Sequence, residues 1–248
     1  LRADAGASVT LYVAMWSGPR NISTAMMRAW ENRPDTVVVD EPLYAHFLAE
    51  TGIEHPGRDE VIAAGETDWQ RAVAGLLAPV ESAIFYQKHM THHLLPHIDR
   101  GWMAGVRNCF LIRDPREVLL SYAKKRADVT VDDVGILQQA EIFDYVRDLT
   151  GEVPPVLDAK DVLTDPRKVL GTLCQRLDIE FCDEMLAWPP GPRDSDGVWA
   201  PHWYDAVNRS TGFQPWRPRE GELAPAEQAI LDVCQPHYER LRKHRLRG

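Results

Sequence analysis

Two rhythms alternate along the chain. Short apolar runs rich in β-branched residues, at Val9–Met15, Thr36–Val39, Ala83–Gln87 and Val106–Ile112, read as buried strands, with a shorter one at 155–158. Between them lie stretches of helical composition and period, over 22–30, 68–78, 115–126, 132–149, 166–177 and 224–241. Strands alternating with helices predict an α/β fold of three layers, with a mostly parallel central sheet flanked by helices, in a single domain over residues 1–248. In such sheets ligands bind beyond the carboxyl ends of the strands. A polar cluster stands at each of those ends: Ser17–Asn21, Asp40-Glu41-Pro42, Lys88–His93 and Arg113-Asp114-Pro115.

The rhythm breaks twice. Residues 1–8 read as a flexible lead, and 188–221 turn rich in Pro, Gly and Trp. The second stretch is too long for an ordinary connection and reads as a lid-like loop, which its four tryptophans and two other aromatics favour as ordered. Trp199, Trp203, Tyr204, Phe213 and Trp216 in it either line an apolar acceptor pocket or belong to the core. No apolar run approaches the ~20 residues of a membrane helix, and the opening residues lack the basic and apolar regions of a signal peptide. Four scattered cysteines without a CxxC pair argue against a zinc site or a disulfide scaffold, and suit reduced thiols in a cytoplasmic protein. A net charge of −9 argues against a general nucleic-acid binder, so an anion would be held at one local pocket. Nothing in the pattern specifies an oligomeric state.

Two segments offer such a pocket. SGPRNISTAMMR, residues 17–28, joins a strand to a helix, so backbone N–H groups and a helix N-terminus face an anion, with Arg20, Ser23 and Thr24 adding donors. A plain strand–turn–helix with a Ser or Thr cap explains the same residues. The loop is not GxxxxGK[ST], since no Lys precedes Ser23. In FLIRDPREVLLSYAKK, residues 110–125, Asp114 suits an N-cap, Pro115 the first helical position and Glu117 a capping box. Arg113 is left at a sheet end with nothing to pair. With Ser121 eight residues on, it makes a phosphate clamp.

SGPRNIST followed by IRDPREVLLSY resembles the PAPS-dependent sulfotransferase family (PAPS is 3′-phosphoadenosine 5′-phosphosulfate), a bacterial-type P-loop fold. The resemblance implies that Arg20, Asn21, Ser23 and Thr24 hold the 5′-phosphosulfate, and that Arg113 and Ser121 hold the 3′-phosphate retained in the product PAP. Arg20 stands where many members have Lys, and Ile22 where they usually have Gly. For the family's glycine-rich C-terminal motif, Arg209, with Ser210 and Gly212, is the candidate substitute.

YQKHMTHHLLP, residues 86–96, occupies the place of the family's Lys-x-His element. His89, first off the strand, is the expected base, because a histidine of ordinary pKa accepts a proton near neutrality. Lys88 and Arg20 are expected to neutralise developing charge, and His92 and His93 to face the acceptor. A solvated turn with incidental histidines is the plainer reading. Glu41 and Tyr44, in VVVDEPLYAHF, are placed on the acceptor side; Glu41 also suits a helix-start carboxylate. The reaction expected is metal-independent, in-line sulfuryl transfer to a hydroxyl or amine of a small-molecule acceptor. The competitors are a small-molecule kinase on a P-loop scaffold, which needs Mg²⁺ and a loop lysine, and a non-catalytic nucleotide-binding protein.

Overall fold

In the computed structural model, residues 10–122 and 129–247 are described. The expectation for residues 1–8, and that for helix over 123–126, lie outside them. Five strands, β1 (Leu11–Ser17), β2 (Thr36–Asp40), β3 (Ile84–Met90), β4 (Arg107–Ile112) and β5 (Val156–Asp158), form one parallel sheet in the order β2-β3-β1-β4-β5.

Alternation along β1 explains the layers. Val13 and Met15 point to one face, where they meet Met26, Met27 and Trp30 of helix α1 (Ser23–Glu31). Ala14 and Trp16 point to the other. After β2 come α2 (Tyr44–Thr51), α3 (Arg58–Ala64) and α4 (Trp69–Leu76); after β4 come α5 (Pro115–Tyr122), α6 (Val131–Val134) and α7 (Ile136–Thr150). Helices α8 (Ala159–Thr164) and α9 (Pro166–Arg176) follow β5, then α10 (Ala200–Trp203), α11 (Asp205–Asn208) and α12 (Pro225–Arg242). Helices α1 and α9 cover the first face, and α4, α7 and α12 the second. With both faces buried, the expected α/β architecture with a central parallel sheet is the one observed.

The chain leaves β1 toward β2 and β3, and leaves β4 toward β5. The carboxyl ends of β1 and β4 therefore flank the crevice where the strand order reverses. Gln139, on α7, closes its floor by donating to Trp16 O at 2.9 Å and Leu111 O at 3.0 Å. The α6–α7 junction packs against the loop after β1. A Cβ on Gly18 would lie 2.6 Å from the Val134 carbonyl, so no larger residue fits there.

The aromatic segment 188–221 is anchored. Trp188, Trp199 and Tyr204 are buried, and Arg28 of α1, 1% exposed, forms a two-pronged pair with Asp196 at 2.6 and 2.7 Å. No described helix is long and apolar enough to cross a membrane.

Candidate active site

The loop after β1 carries Arg20 in the left-handed region (φ 56°), a conformation a non-glycine residue holds only under tertiary constraint. The constraint is local. Asn21 Nδ2 donates to Leu111 O at 2.8 Å, its Oδ1 accepts from Ile22 N at 2.8 Å, and Arg20 O accepts from Arg113 at 2.9 Å. Asn21 thus staples the loop to β4. Ser23 is buried and Thr24 half-buried at the start of α1, where no side chain caps the first turn and no acidic residue sits in it. Those N–H groups suit an anion.

Arg20, Arg113 and Ser121 come together. The Arg20 guanidinium donates to Ser121 Oγ through Nε (3.2 Å) and Nη2 (3.1 Å). Arg113 is not the unpaired residue that its sheet-end position predicts: Nε and Nη2 donate to Glu117 at 3.1 and 3.0 Å. Asp114 does cap α5, accepting from Arg116 N at 2.9 Å. Glu117 does not complete a capping box, because its carboxylate is taken by Arg113 and, at 2.9 Å, by Trp216 Nε1.

A third arginine, Arg219, joins the cluster. Burial and the positive charges of Arg113 and Arg20 push its proton affinity down, and its Nε is buried without a hydrogen-bond partner. Arg209, the residue expected here, is exposed at the end of α11, and Ser210 beside it is held by Trp188 Nε1 at 3.1 Å. The available signal was the basic Arg-Pro-Arg-Glu-Gly run, 217–221, just after Trp216. Against the cluster lies a cavity of about 240 Å³ lined by Arg113, Asp158, Lys160, Trp216 and Tyr238, with the Lys160 ammonium 4.3 Å from the Trp216 ring centre.

The second group of residues lies at the ends of β2 and β3. Strand β3 runs to Met90, so Lys88 and His89 lie on it rather than beyond it, and point to opposite faces. His89 is 1% exposed, stacked on Trp16 at 4.3 Å, tilted against Trp102, and bonded to Gln87 at 3.3 Å. Burial, reinforced by the Lys88 charge, pushes it down to about 3. The expectation of a His89 base free at a strand end is thus corrected: this ring is a core element on the far face of the sheet.

Lys88 is also enclosed. Its ammonium donates to Asp40 at 2.8 Å, to the Tyr204 hydroxyl at 3.0 Å and to Glu41. Burial opposes its charge, but Asp40 and Glu41 win and raise its pKa well above the ordinary value. All three donors are spent on neighbours, so it is not a free cation toward a reacting group.

Glu41 follows β2 with φ 43°, its N–H bonded to Lys88 O at 2.9 Å and its side chain 12% exposed. Burial pushes its carboxyl up against the opposing pull of Lys88, and Asp40 adds to the rise. His93 presents Nδ1, buried and unbonded, 3.9 Å from Glu41 Oε2, and stacks on Tyr44 at 4.5 Å. His92 lies behind it, edge-on to Phe47, and burial pushes it down to about 4. Tyr44 does not offer its hydroxyl to a pocket: that group meets His55 Nδ1, and the ring packs edge-on to Trp199 at 5.0 Å. Among the described residues, no group of three His, Cys, Asp or Glu is arranged to hold a metal ion.

Residues 11–245 match the family model described as Sulfotransferase domain. An Arabidopsis thaliana protein named branched-chain-amino-acid aminotransferase-like protein 1 is 35% identical over 230 residues, which cover 92% of this chain and 41% of that protein. The chain therefore spans about two fifths of that relative's length. Among solved structures, a sulfotransferase from Alicyclobacillus acidocaldarius shares the fold with a TM-score of 0.55 at 11% identity, covering 96% of this chain and 98% of that one. Mouse sulfotransferase SULT7A1, solved in complex with PAP, does so with a TM-score of 0.50 at 9% identity, covering 94% and 88%.

Proposed function

This chain belongs to the sulfotransferase domain family, and from that premise we propose that it moves a sulfuryl group from PAPS to a hydroxyl or amine of a small-molecule acceptor. The observation that carries this reading is the convergence of Arg20, Arg113 and Arg219 near Ser121, in the crevice between β1 and β4. Three guanidinium groups, one with a buried unpartnered Nε, fit a doubly charged phosphate. PAPS and ATP differ in that 3′-phosphate, so the cluster would select between them.

Each part of the donor has a matching element. Arg113, Ser121 and Arg219 would hold the 3′-phosphate. The open first turn of α1, with Ser23 and Thr24, would hold the 5′-phosphosulfate. The cavity beside Trp216 suits a flat ring. When bound, PAPS supplies the sulfuryl group. The chain's part is charge and a base: Arg20 faces the negative charge, worth on the order of 3–4 kcal/mol for a well-placed donor, and Glu41 accepts the acceptor's proton at Oε2. Glu41 is preferred to His89 because it is partly accessible and burial raises its carboxyl above the ordinary carboxylate value, whereas His89 is enclosed and a weak base. The arginines and the helix N-terminus carry the positive field in this reading, with no metal ion. The test is PAPS-dependent release of PAP across a panel of hydroxyl and amine acceptors. Mg²⁺-dependent ATP consumption instead would point to the kinase alternative.

A further inference from the structure

A second cavity, of about 160 Å³, lies between the loop that follows β3 and the start of α7. It shares no lining residue with the cavity beside Trp216. Gln138, Glu141 and Ile142 stand three and four positions apart on α7, so one helix face makes one wall. His92, Leu94 and Leu95 make the other. That wall is hydrogen-bonded in place. Leu94 N donates to Thr91 O at 3.2 Å, Leu95 N to His93 O at 3.1 Å, and Thr91 Oγ1 to Gly135 O at 3.2 Å. Two polar atoms of the lining residues, His92 Nδ1 and Gln138 Oε1, are buried without a hydrogen-bond partner. Asp132 orients the Gln138 amide by accepting from Nε2 at 3.2 Å, so the unmet end is the acceptor oxygen. Arg100 and Glu141 pair with each other at 2.8 Å, which leaves the lining without net charge. The His92 ring is neutral near pH 7, since burial pushes it down to about 4.

We propose that this cavity binds a small neutral alcohol with a carbon skeleton of about six atoms. A cavity of about 150 Å³ takes a benzene ring, and one water needs only about 10–15 Å³, so the space exceeds what a single water fills. Leu94, Leu95 and Ile142 offer apolar surface to the carbon skeleton. The unmet polar atoms select the head group. A carboxylate has no proton for Gln138 Oε1, and an ammonium cannot accept from His92 when Nδ1 carries the ring proton. A hydroxyl serves both atoms in either tautomer of His92. A charged head is also desolvated against a lining of no net charge, and a plain hydrocarbon leaves both atoms unmet. His92 joins the cavity to the proposed base: its ring meets that of His93 at 4.3 Å, and His93 Nδ1 stands 3.9 Å from Glu41 Oε2. The alcohol is thus either the far end of the acceptor or a separate ligand beside it. Binding there is measured without turnover, and stands whether or not the chain transfers a sulfuryl group.

The probe is cyclohexanol, titrated into protein carrying ¹³C in its Ile and Leu methyl groups and followed by NMR. A saturable shift is expected at Ile142, whose signal is identified by its loss in Ile142→Val. Cyclohexanecarboxylate and cyclohexylammonium should bind at least about tenfold more weakly. Gln138→Leu, at a half-buried position, removes the acceptor and should weaken cyclohexanol about three- to tenfold. Leu95→Trp fills the cavity and should abolish the shift at Ile142. Absence of a saturable shift at Ile142 overturns the proposal, as does equal binding of the alcohol and either ion, or full affinity in Gln138→Leu. Should Leu95→Trp not fold, Gln138→Leu carries the test. Once a turnover acceptor is found, cyclohexanol that raises its KM alone marks the cavity as the seat of the acceptor's far end. An effect on kcat, or none, marks a separate ligand, and either result keeps the site.

Discussion

Arg20 and Ser121, 101 positions apart, meet through two hydrogen bonds at 3.2 and 3.1 Å, while the Arg20 carbonyl accepts from Arg113 at 2.9 Å. The loop after β1 and the helix after β4 are joined by the groups proposed to hold the two ends of the donor. Arg113→Ala should weaken PAP binding about ten- to a hundredfold, the loss of one or two charge-assisted hydrogen bonds. Its effect on AMP should be several times smaller. Calorimetry with both nucleotides checks this, and equal losses would rule out the 3′-phosphate assignment. Arg219→Ala should behave like Arg113→Ala, and Arg209→Ala like wild type.

Glu117 competes with a phosphate for Arg113. Glu117→Gln retains an acceptor for Trp216 Nε1 but removes the negative charge from Arg113. PAP should bind about three- to tenfold more tightly to this variant. Weaker binding would mean that Glu117 orients Arg113 more than it competes for it.

Glu41→Gln should abolish transfer to any acceptor while leaving PAP affinity within about twofold of wild type, because Glu41 lies at the end of β2 and the arginine cluster beyond β1 and β4. His89→Gln should reduce stability through lost stacking on Trp16, yet keep transfer in the folded fraction. The opposite pattern, with His89 essential and Glu41 dispensable, would restore the histidine as base.

The pinning of segment 188–221 has a measurable cost if undone. Asp196→Ala leaves the Arg28 guanidinium buried without its two-pronged partner. Removing one member of a buried pair costs about 3–5 kcal/mol. Urea unfolding should register a loss of that size, and a loss below about 1 kcal/mol would mean that Glu31 takes over the pairing.

Stability should fall on mild acidification. His89 and His92 are held by burial at about 3 and about 4, below the 6.5 of an unfolded histidine. For a base whose folded pKa is lowered, the unfolded chain binds the extra proton between the two values. The stability is complete above about pH 6.5 and drains as pH drops toward 4, by up to about 1.4 kcal/mol per pH unit for each histidine. Urea midpoints between pH 7.5 and 5 test this, and His89→Gln should flatten the slope.

The parts of this molecule legible in its sequence are those set by neighbours along the chain. The strand–loop–helix at 11–31 follows from local period and turn chemistry, as do the positions of Arg113 just after β4 and Ser121 on α5, but the pairing of Arg113 with Glu117 does not. Strand β3 is different. Its last three residues, Lys88, His89 and Met90, look like a polar turn until their partners are known. Lys88 is satisfied by Asp40 and Tyr204, 48 and 116 positions away, and His89 by a ring stack with Trp16. Hydrophobic period carries no record of such pairings, so the face each side chain takes could not be read. Arg209, with Ser210 and Gly212, is the residue that the resemblance offers for the C-terminal motif, whereas the residue that tertiary contact brings to Arg113 and Arg20 is Arg219.

The proposed donor site reads a 3′-phosphate. Isothermal calorimetry with PAP, AMP and ATP, each with and without Mg²⁺, tests it most directly. The expected result is metal-independent binding of PAP at least about tenfold tighter than that of AMP or ATP. Mg²⁺-dependent binding of ATP with no response to PAP would contradict it.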